Sequence, residues 1–147
     1  MKLWFSLLLW SLSALAAAAE FPADDPKPFA EARVILQLSD ADERKQSIVL
    51  DVANNLIKHY GGPDMVDIEI IAFGPGIGLL YADNPRGERI DSLVVSGVRF
   101  VACMNTVDTV ERVTGERPTL TEHAIPVQTG VAHIVRRAGE GFVLVRP

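Results

Sequence analysis

The chain contains one cysteine, Cys103, which ends the hydrophobic segment VRFVACM at residues 98–104. Cysteine is a nucleophile only as thiolate, and a helix N-terminus favours that form by presenting free N–H groups and a partial positive charge. The polar sequence that follows predicts a helix over residues 106–114, with Asn105 or Thr106 as its N-cap. Cys103 is therefore predicted to lie at the end of a strand, a few residues from a helix N-terminus.

Arg99 is the nearest positive charge that precedes the cysteine on the predicted strand. Residues 99 and 103 have the same parity, so a regular strand directs both side chains to one face, and we expect Arg99 to support the thiolate. Asp108, in the first turn of the predicted helix, opposes a thiolate. Unpaired cysteine is also among the most buried residue types. Position alone therefore leaves two interpretations open: a reactive thiol, or a small apolar side chain that fills the core.

Other residue types that could do chemistry give weaker patterns. The glycines at 74, 76 and 78 do not form a dinucleotide-binding fingerprint, because Leu79 occupies the place of the third glycine. His59, His123 and His133 have no partners at metal-ligand spacing, so no metal site and no cofactor are predicted. A single cysteine excludes an intramolecular disulfide and a cysteine-rich metal site.

Apolar patterns predict strands that alternate with helices along the chain. The strands are predicted at residues 34–38, 66–74, 98–104, 123–127 and 142–146, with a glycine- and proline-rich loop at 75–87. The helices are predicted at about 40–60, 88–96, 106–114 and 130–138, the first capped by Asp40. This order indicates an α/β fold with a largely parallel sheet, helices on both faces, and a functional surface at the carboxyl ends of the strands.

In two of the predicted helices, the apolar residues indicate which face is turned to the sheet. In the helix at 106–114, Val107, Val110 and Val113 are expected to face the sheet. In the helix at 130–138 the corresponding residues are Val131, Ile134 and Val135.

The first nineteen residues predict a secretory signal peptide. Lys2 precedes an apolar run that ends in Ala17–Ala19, a small-residue cleavage signal. An uncleaved anchor is the alternative, but the acidic residues after Ala19 favour cleavage and a periplasmic or secreted protein with no stable membrane anchor. Residues 20–31, with three prolines, predict an extended lead-in to a domain at 32–147. The net charge of −5 argues against nucleic acid as a partner.

The segments GVRFVACMNTVDTV (97–110) and PVQTGVAHIVRRAGEGFVLVRP (126–147) resemble the DsrE/DsrF-like family. The resemblance rests on a strand that ends in Ala102-Cys103, then Asn105-Thr106, then Gly130 at the start of a helix, and on the strand and helix of residues 33–62. It implies a three-layer α/β/α fold with a five-stranded, mainly parallel sheet, and homotrimers or larger rings. In the sulfur-relay members a cysteine in this region carries a persulfide, and that role maps onto Cys103.

These observations favour an exported DsrE-like protein that carries sulfur on Cys103, with Arg99, Asn105 and Thr106 as supporting residues. Its expected partners are further copies of the chain and a sulfur donor or acceptor protein. The alternative is a non-catalytic oligomeric module that binds a small ligand or a protein, with Cys103 as packing. A redox sensor at Cys103 is a third possibility. The sequence does not decide whether the protein is an enzyme.

Overall fold

The computed structural model describes residues 27–147. The predicted signal peptide and residues 20–26 of the predicted lead-in lie outside the described residues. The strands are β1 (Ala32–Leu38), β2 (Val66–Ala72), β3 (Arg99–Cys103), β4 (Ala124–Val127) and β5 (Val143–Val145). The helices are α1 (Glu43–His59), α2 (Gly87–Val95), α3 (Met104–Thr114) and α4 (Gly130–Gly139), and a 3₁₀ helix, Gly74–Leu80, follows β2. Within residues 27–147, no helix combines the length and the apolarity that a membrane span requires.

The five strands form one sheet in the order β4-β3-β2-β1-β5, and every neighbouring pair is parallel. The predicted α/β fold is confirmed. All positions of the central strand β2 are buried, as expected for a strand with both faces covered. Because the strands are parallel, their carboxyl ends meet at one edge, where Cys103 pairs with Val127 and Ala102 pairs with Ala72.

Helices cover the two faces of the sheet unequally. On one face Leu36, Ile70 and Phe100 belong to a large core that includes residues of α1, α2, α3 and the 3₁₀ helix. On the other face Ile134 of α4 belongs to a small core with Ile71 and other residues of opposite parity. The side chain of Cys103 has the parity of this second face, so it lies on the α4 side of the sheet.

Helix α1 begins two residues later than predicted. Its N-cap is Asp42, whose Oδ1 accepts hydrogen bonds from the N–H groups of Arg44 at 2.7 Å and Lys45 at 3.1 Å. Asp40, the predicted cap, instead pairs with the Lys45 ammonium at 2.9 Å. Asp42 is the cap because its carboxylate reaches two N–H groups of the first turn that have no partner within the helix.

Helix α3 begins earlier than predicted, directly after Cys103, which is itself the N-cap residue. Asn105 and Thr106 therefore lie in the first turn, and the prediction that either is the N-cap is wrong. Val107 faces the core as predicted, whereas Val113 is 76% exposed and does not. The predicted loop after β2 also differs, since its first part is the 3₁₀ helix.

The prediction for the inward face of α4 is wrong at both valines. Val131 and Val135 are 54% and 68% exposed, and only Ile134 of the predicted set is buried. The inward positions are instead Gly130, His133, Ile134 and Arg137, which recur at helical spacing. The cause lies in β2, where the buried carboxylate of Glu69 requires positively charged and hydrogen-bonding partners from the helix above it.

Candidate functional site

Cys103 lies where β3 passes directly into α3, at the carboxyl edge of the sheet. It is 6% exposed, so a narrow part of the residue reaches solvent. The β4–α4 connection brings a second helix N-terminus to the same place, because β4 is the neighbour of β3 and ends beside it. The N-termini of α3 and α4 therefore converge on the cysteine.

The groups around the sulfur of Cys103 favour the thiolate. Burial raises the pKa of the Cys103 thiol, but hydrogen bonds from the N–H of Gly130, from the hydroxyl and N–H of Thr106 and from the N–H of Asn105 outweigh burial and lower the pKa below its ordinary value. Three of these donors are backbone groups at helix N-termini, where N–H groups have no intrahelical partner. The protonated sulfur makes a weak contact with the Gln128 carbonyl oxygen at 3.9 Å.

Gly130 permits the close approach of α4 to the cysteine. A Cβ at this position would stand 3.2 Å from the Cys103 Cβ and 3.5 Å from the Ile71 Cγ2. These distances are shorter than or at the limit of ordinary packing, so a side chain would push the helix N-terminus away from the sulfur. Glycine thus allows the first amide of α4 to reach the thiolate.

Asn105 joins the two helix N-termini. Its N–H is shared between the sulfur of Cys103 and the Gln128 carbonyl oxygen, which lies 3.0 Å from the nitrogen. Its Nδ2 donates to the Thr129 hydroxyl at 3.0 Å. In the other direction, Gln128 Nε2 donates to Asn105 Oδ1 at 2.5 Å. This residue was predicted to support the site, and the structure places it as a link between the first turn of α3 and the loop before α4.

Thr106 connects the cysteine to the loop after β2. Its Oγ1 accepts a hydrogen bond from the Gly74 N–H at 3.0 Å. That bond uses an acceptor site of the hydroxyl oxygen, so the hydroxyl proton is free to point to the sulfur of Cys103. The hydroxyl donates a hydrogen bond to the sulfur, and this bond lowers the pKa of the thiol. The structure thus places Thr106, which the sequence predicts as a supporting residue, beside Cys103.

Arg99 is not brought to the cysteine. It begins β3, four residues before Cys103, which corresponds to about 13 Å along an extended strand. Its guanidinium pairs with Asp67 at 2.7 Å and with Glu69 at 3.1 Å. Parity correctly places Arg99 and Cys103 on one face, but the length of the strand separates them, so Arg99 does not act as electrostatic support for the thiol.

A second set of functional groups, which the sequence analysis did not identify, lies under α4 around Glu69. Arg137 Nη2 donates to Glu69 Oε1 at 2.6 Å, Arg99 Nε donates to the same oxygen at 3.1 Å, and His133 Nε2 lies 2.9 Å from Oε2. Burial raises the pKa of the Glu69 carboxyl, but these hydrogen bonds and the nearby guanidinium charges outweigh burial and hold the pKa at about 2. The sequence signal was the pair of carboxylates, Asp67 and Glu69, at alternate positions of an otherwise apolar strand.

A cavity of about 710 Å³ lies at the other end of β3. Its lining includes Lys27, Phe29, Arg99, Phe100 and His123, and it does not include Cys103. The ring of His123 pairs with Asp91 at 3.0 Å. In the part of the chain that the structure describes, no three His, Cys, Asp or Glu side chains are grouped to hold a metal ion.

No protein-family model matches the chain, and no curated protein matches it. The chain is similar to the solved structure of MTH1491, a protein of unknown function from Methanobacterium thermoautotrophicum. The two sequences are 32% identical, the alignment covers 80% of this chain and 100% of that chain, and the TM-score is 0.70. The similarity assigns no activity.

Proposed function

Since the chain belongs to the same protein family as MTH1491, a protein of unknown function, its activity has to be inferred from its site, and we propose that it is a DsrE-like sulfur carrier. Cys103 accepts a sulfane sulfur atom as a persulfide and passes it to the thiol of a partner protein. The observation that carries this proposal is the convergence of hydrogen-bond donors from α3 and α4 on a thiol whose pKa is lowered. The resemblance of this segment to the DsrE/DsrF-like family supports the same role.

The loading step is a thiolate attack on a persulfide. The Cys103 thiolate attacks the outer sulfur of a donor R–S–SH, a new S–S bond forms at Cys103, and the donor's own S–S bond breaks. The electron pair of the broken bond leaves with the donor as R–S⁻, and the proton stays on the transferred sulfur. The step exchanges one thiolate for another and needs no further oxidant or reductant.

The unloading step uses the same donors in reverse. An acceptor thiolate attacks the outer sulfur of the Cys103 persulfide, and Cys103 leaves as a thiolate. A leaving thiolate of low pKa departs faster, so the N–H groups of Gly130 and Asn105 and the hydroxyl of Thr106 assist departure as well as attack. A carrier needs this symmetry, because the cysteine must both take and release sulfur.

Sulfur loading is the first testable prediction. Purified protein incubated with glutathione persulfide is expected to gain the mass of one sulfur atom, detected by intact mass spectrometry, and to lose it on addition of an acceptor thiol. The Cys103→Ser variant is the matched control, since it keeps the shape of the site and has no other cysteine that could react. An unmodified wild-type protein, or equal labelling of Cys103→Ser, contradicts the proposal.

A non-catalytic binding module is the second candidate, and two observations favour it. Cys103 is 6% exposed, which also suits a packing role, and the cavity that includes Lys27 and His123 lies at the opposite end of the sheet. The mass experiment separates the candidates, because a packing cysteine does not take up sulfur. A small ligand of the module would bind equally well to Cys103→Ser.

The proposal includes self-association of the chain and export to the compartment that a signal peptide predicts. Support for self-association comes from apolar side chains that the single chain leaves exposed on the edge strand β5, namely Val143, Leu144 and Val145. Exposed apolar patches and apolar edge strands are typical of interfaces. Sedimentation of the purified protein is expected to give a trimer or larger assembly, and a monomer at all concentrations contradicts this part of the proposal.

A further inference from the structure

Helix α4 lies on the sheet through a stripe that is largely polar. Gly130, Ile134 and Arg137 are buried, and the side chain of His133 is 10% exposed. These four positions recur at i, i+3, i+4 and i+7, so they form one face of the helix. Only one of the four side chains on this inward face is aliphatic, whereas an amphipathic helix ordinarily turns its aliphatic residues to the sheet.

The same helix carries an aliphatic stripe that remains in solvent. Val131 and Val135 lie together on one side of Ile134 around the helix axis, opposite to Arg137, and they are 54% and 68% exposed. One residue corresponds to a rotation of about 100°. Rotation of α4 by that angle would bury both valines beside Ile134 and would carry Arg137 towards solvent. The burial of apolar surface favours the rotated helix, so another interaction must hold α4 as it is.

The carboxylate of Glu69 supplies that interaction. Its side chain is 1% exposed and has two partners on α4, Arg137 at 2.6 Å and His133 at 2.9 Å. Arg136 Nη2 lies 3.0 Å from His133 Nδ1, and because a guanidinium can only donate, His133 carries its proton on Nε2 and donates it to Glu69. Rotation of α4 would withdraw both donors and leave Arg99 of β3 as the cation beside a buried carboxylate, which is costly.

We infer that Glu69 is a positioning residue, which fixes the rotation of α4 against the preference of its valines and thereby holds the Gly130 N–H on the sulfur of Cys103. Gly130 and Arg137 belong to the same inward stripe, so any rotation that removes Arg137 from Glu69 also turns the Gly130 amide away from the cysteine. Glu69 touches neither the sulfur nor a substrate and acts through α4. The inference rests on the proposed function, because it explains how the sulfur-accepting thiol is activated.

The variant Glu69→Leu tests this inference, because leucine fills the position without requiring a hydrogen bond. Each arginine retains one carboxylate partner in this variant: Asp67 for Arg99 and Glu140 for Arg137. The pH dependence of alkylation by iodoacetamide reports the thiol pKa of Cys103. Loss of the Gly130 hydrogen bond is expected to raise that pKa by about one unit, which slows alkylation at neutral pH about tenfold. The control is Arg89→Gln, which removes an exposed ion pair with Asp51. It is expected to change neither the thiol pKa of Cys103 nor its alkylation rate.

A rescue experiment separates positioning from general destabilisation. Adding Val131→Ser and Val135→Ser to Glu69→Leu removes the apolar stripe that favours rotation, so the thiol pKa is expected to return towards the wild-type value. A merely structural role of Glu69 predicts instead that three substitutions damage the site more than one. In the wild-type protein, the NMR resonance of the Gly130 amide is expected to titrate together with the Cys103 thiol, and in Glu69→Leu it is expected not to.

A folded Glu69→Leu protein with the wild-type thiol pKa and a Gly130 amide that still follows the thiol overturns the inference. If Glu69→Leu does not fold, Arg137→Met provides the same test, since Glu69 then keeps Arg99 and His133 while α4 loses its guanidinium. An unchanged thiol pKa in that variant also overturns it. Alkylation requires no sulfur donor, so failure of this inference and failure of persulfide loading are independent results.

Discussion

Replacement of Glu69 by glutamine is expected to lower the free energy of unfolding at neutral pH by about 3 kcal/mol. The carboxylate is 1% exposed and binds Arg137, Arg99 and His133, so its removal leaves buried cationic groups without their common negative partner. Urea unfolding followed by circular dichroism measures the loss. The matched control is Glu140→Gln, which removes the other carboxylate on Arg137 but is 41% exposed, and its effect is expected to be about 1 kcal/mol or less.

The lowered pKa of Glu69 also predicts how the free energy of unfolding depends on pH. Folding lowers the pKa of Glu69 from 4.5 to about 2, and one unit corresponds to about 1.4 kcal/mol, so the group contributes roughly 3 kcal/mol. Because the folded pKa is depressed, this contribution is complete above about pH 5 and is lost as the pH falls towards 2. The stability difference between wild type and Glu69→Gln should therefore shrink across that window. A difference that stays constant from neutral pH to pH 2 contradicts the account.

Replacement of Gly76 by alanine is expected to cost about 3 kcal/mol or more of stability. A Cβ at this position would stand 2.4 Å from the Leu38 carbonyl oxygen and 2.7 Å from its carbon. Both atoms belong to the backbone of β1, so neither can turn aside as a flexible side chain would. The 3₁₀ helix would have to leave the end of β1, where the Phe73 N–H donates to the same Leu38 oxygen at 3.1 Å.

The neighbouring glycine of the 3₁₀ helix provides the matched control for this prediction. A Cβ at Gly78 would find only the Gln46 Nε2 in its surroundings, at 3.9 Å. Gly78→Ala is therefore expected to change the free energy of unfolding by less than about 1 kcal/mol. Equal thermal unfolding temperatures for Gly76→Ala and Gly78→Ala would contradict the close approach of the two segments.

The fold was predictable because apolar residues recur with a different period in strands and in helices, and because glycines and prolines separate these elements. β2 is apolar except for Asp67 and Glu69 and has both faces buried, and α1 has a long apolar stripe, so local sequence decides both elements. The strand order β4-β3-β2-β1-β5 was not predictable, because nothing within an apolar strand identifies its neighbour. The N-caps were mispredicted for a related reason: several adjacent residues can cap a helix, and local sequence does not decide which of them does so.

The candidate site was predictable in part. The position of Cys103 between a strand and a helix indicated a thiol near a helix N-terminus, and Thr106 and Asn105 follow from their places in the next turn. Gly130 as a hydrogen-bond donor to the sulfur could not be derived from the residues, because it lies on a different helix and reaches Cys103 only through the pairing of β3 with β4. The orientation of α4 was mispredicted because the valines signalled one face while Glu69, far away in sequence, determines another.

The pKa of the Cys103 thiol distinguishes an activated sulfur from a cysteine that only packs in the core. Because the chain has one cysteine, the ultraviolet absorbance of thiolate as a function of pH reports this residue alone. The Cys103 thiol is expected to titrate below the ordinary pKa of a cysteine. Thr106→Val is expected to raise this pKa, whereas Thr109→Val, which removes a hydroxyl bonded to the Asn105 carbonyl oxygen, is expected to leave it unchanged. A wild-type pKa at or above the ordinary value would contradict the claim that two helix N-termini activate this sulfur.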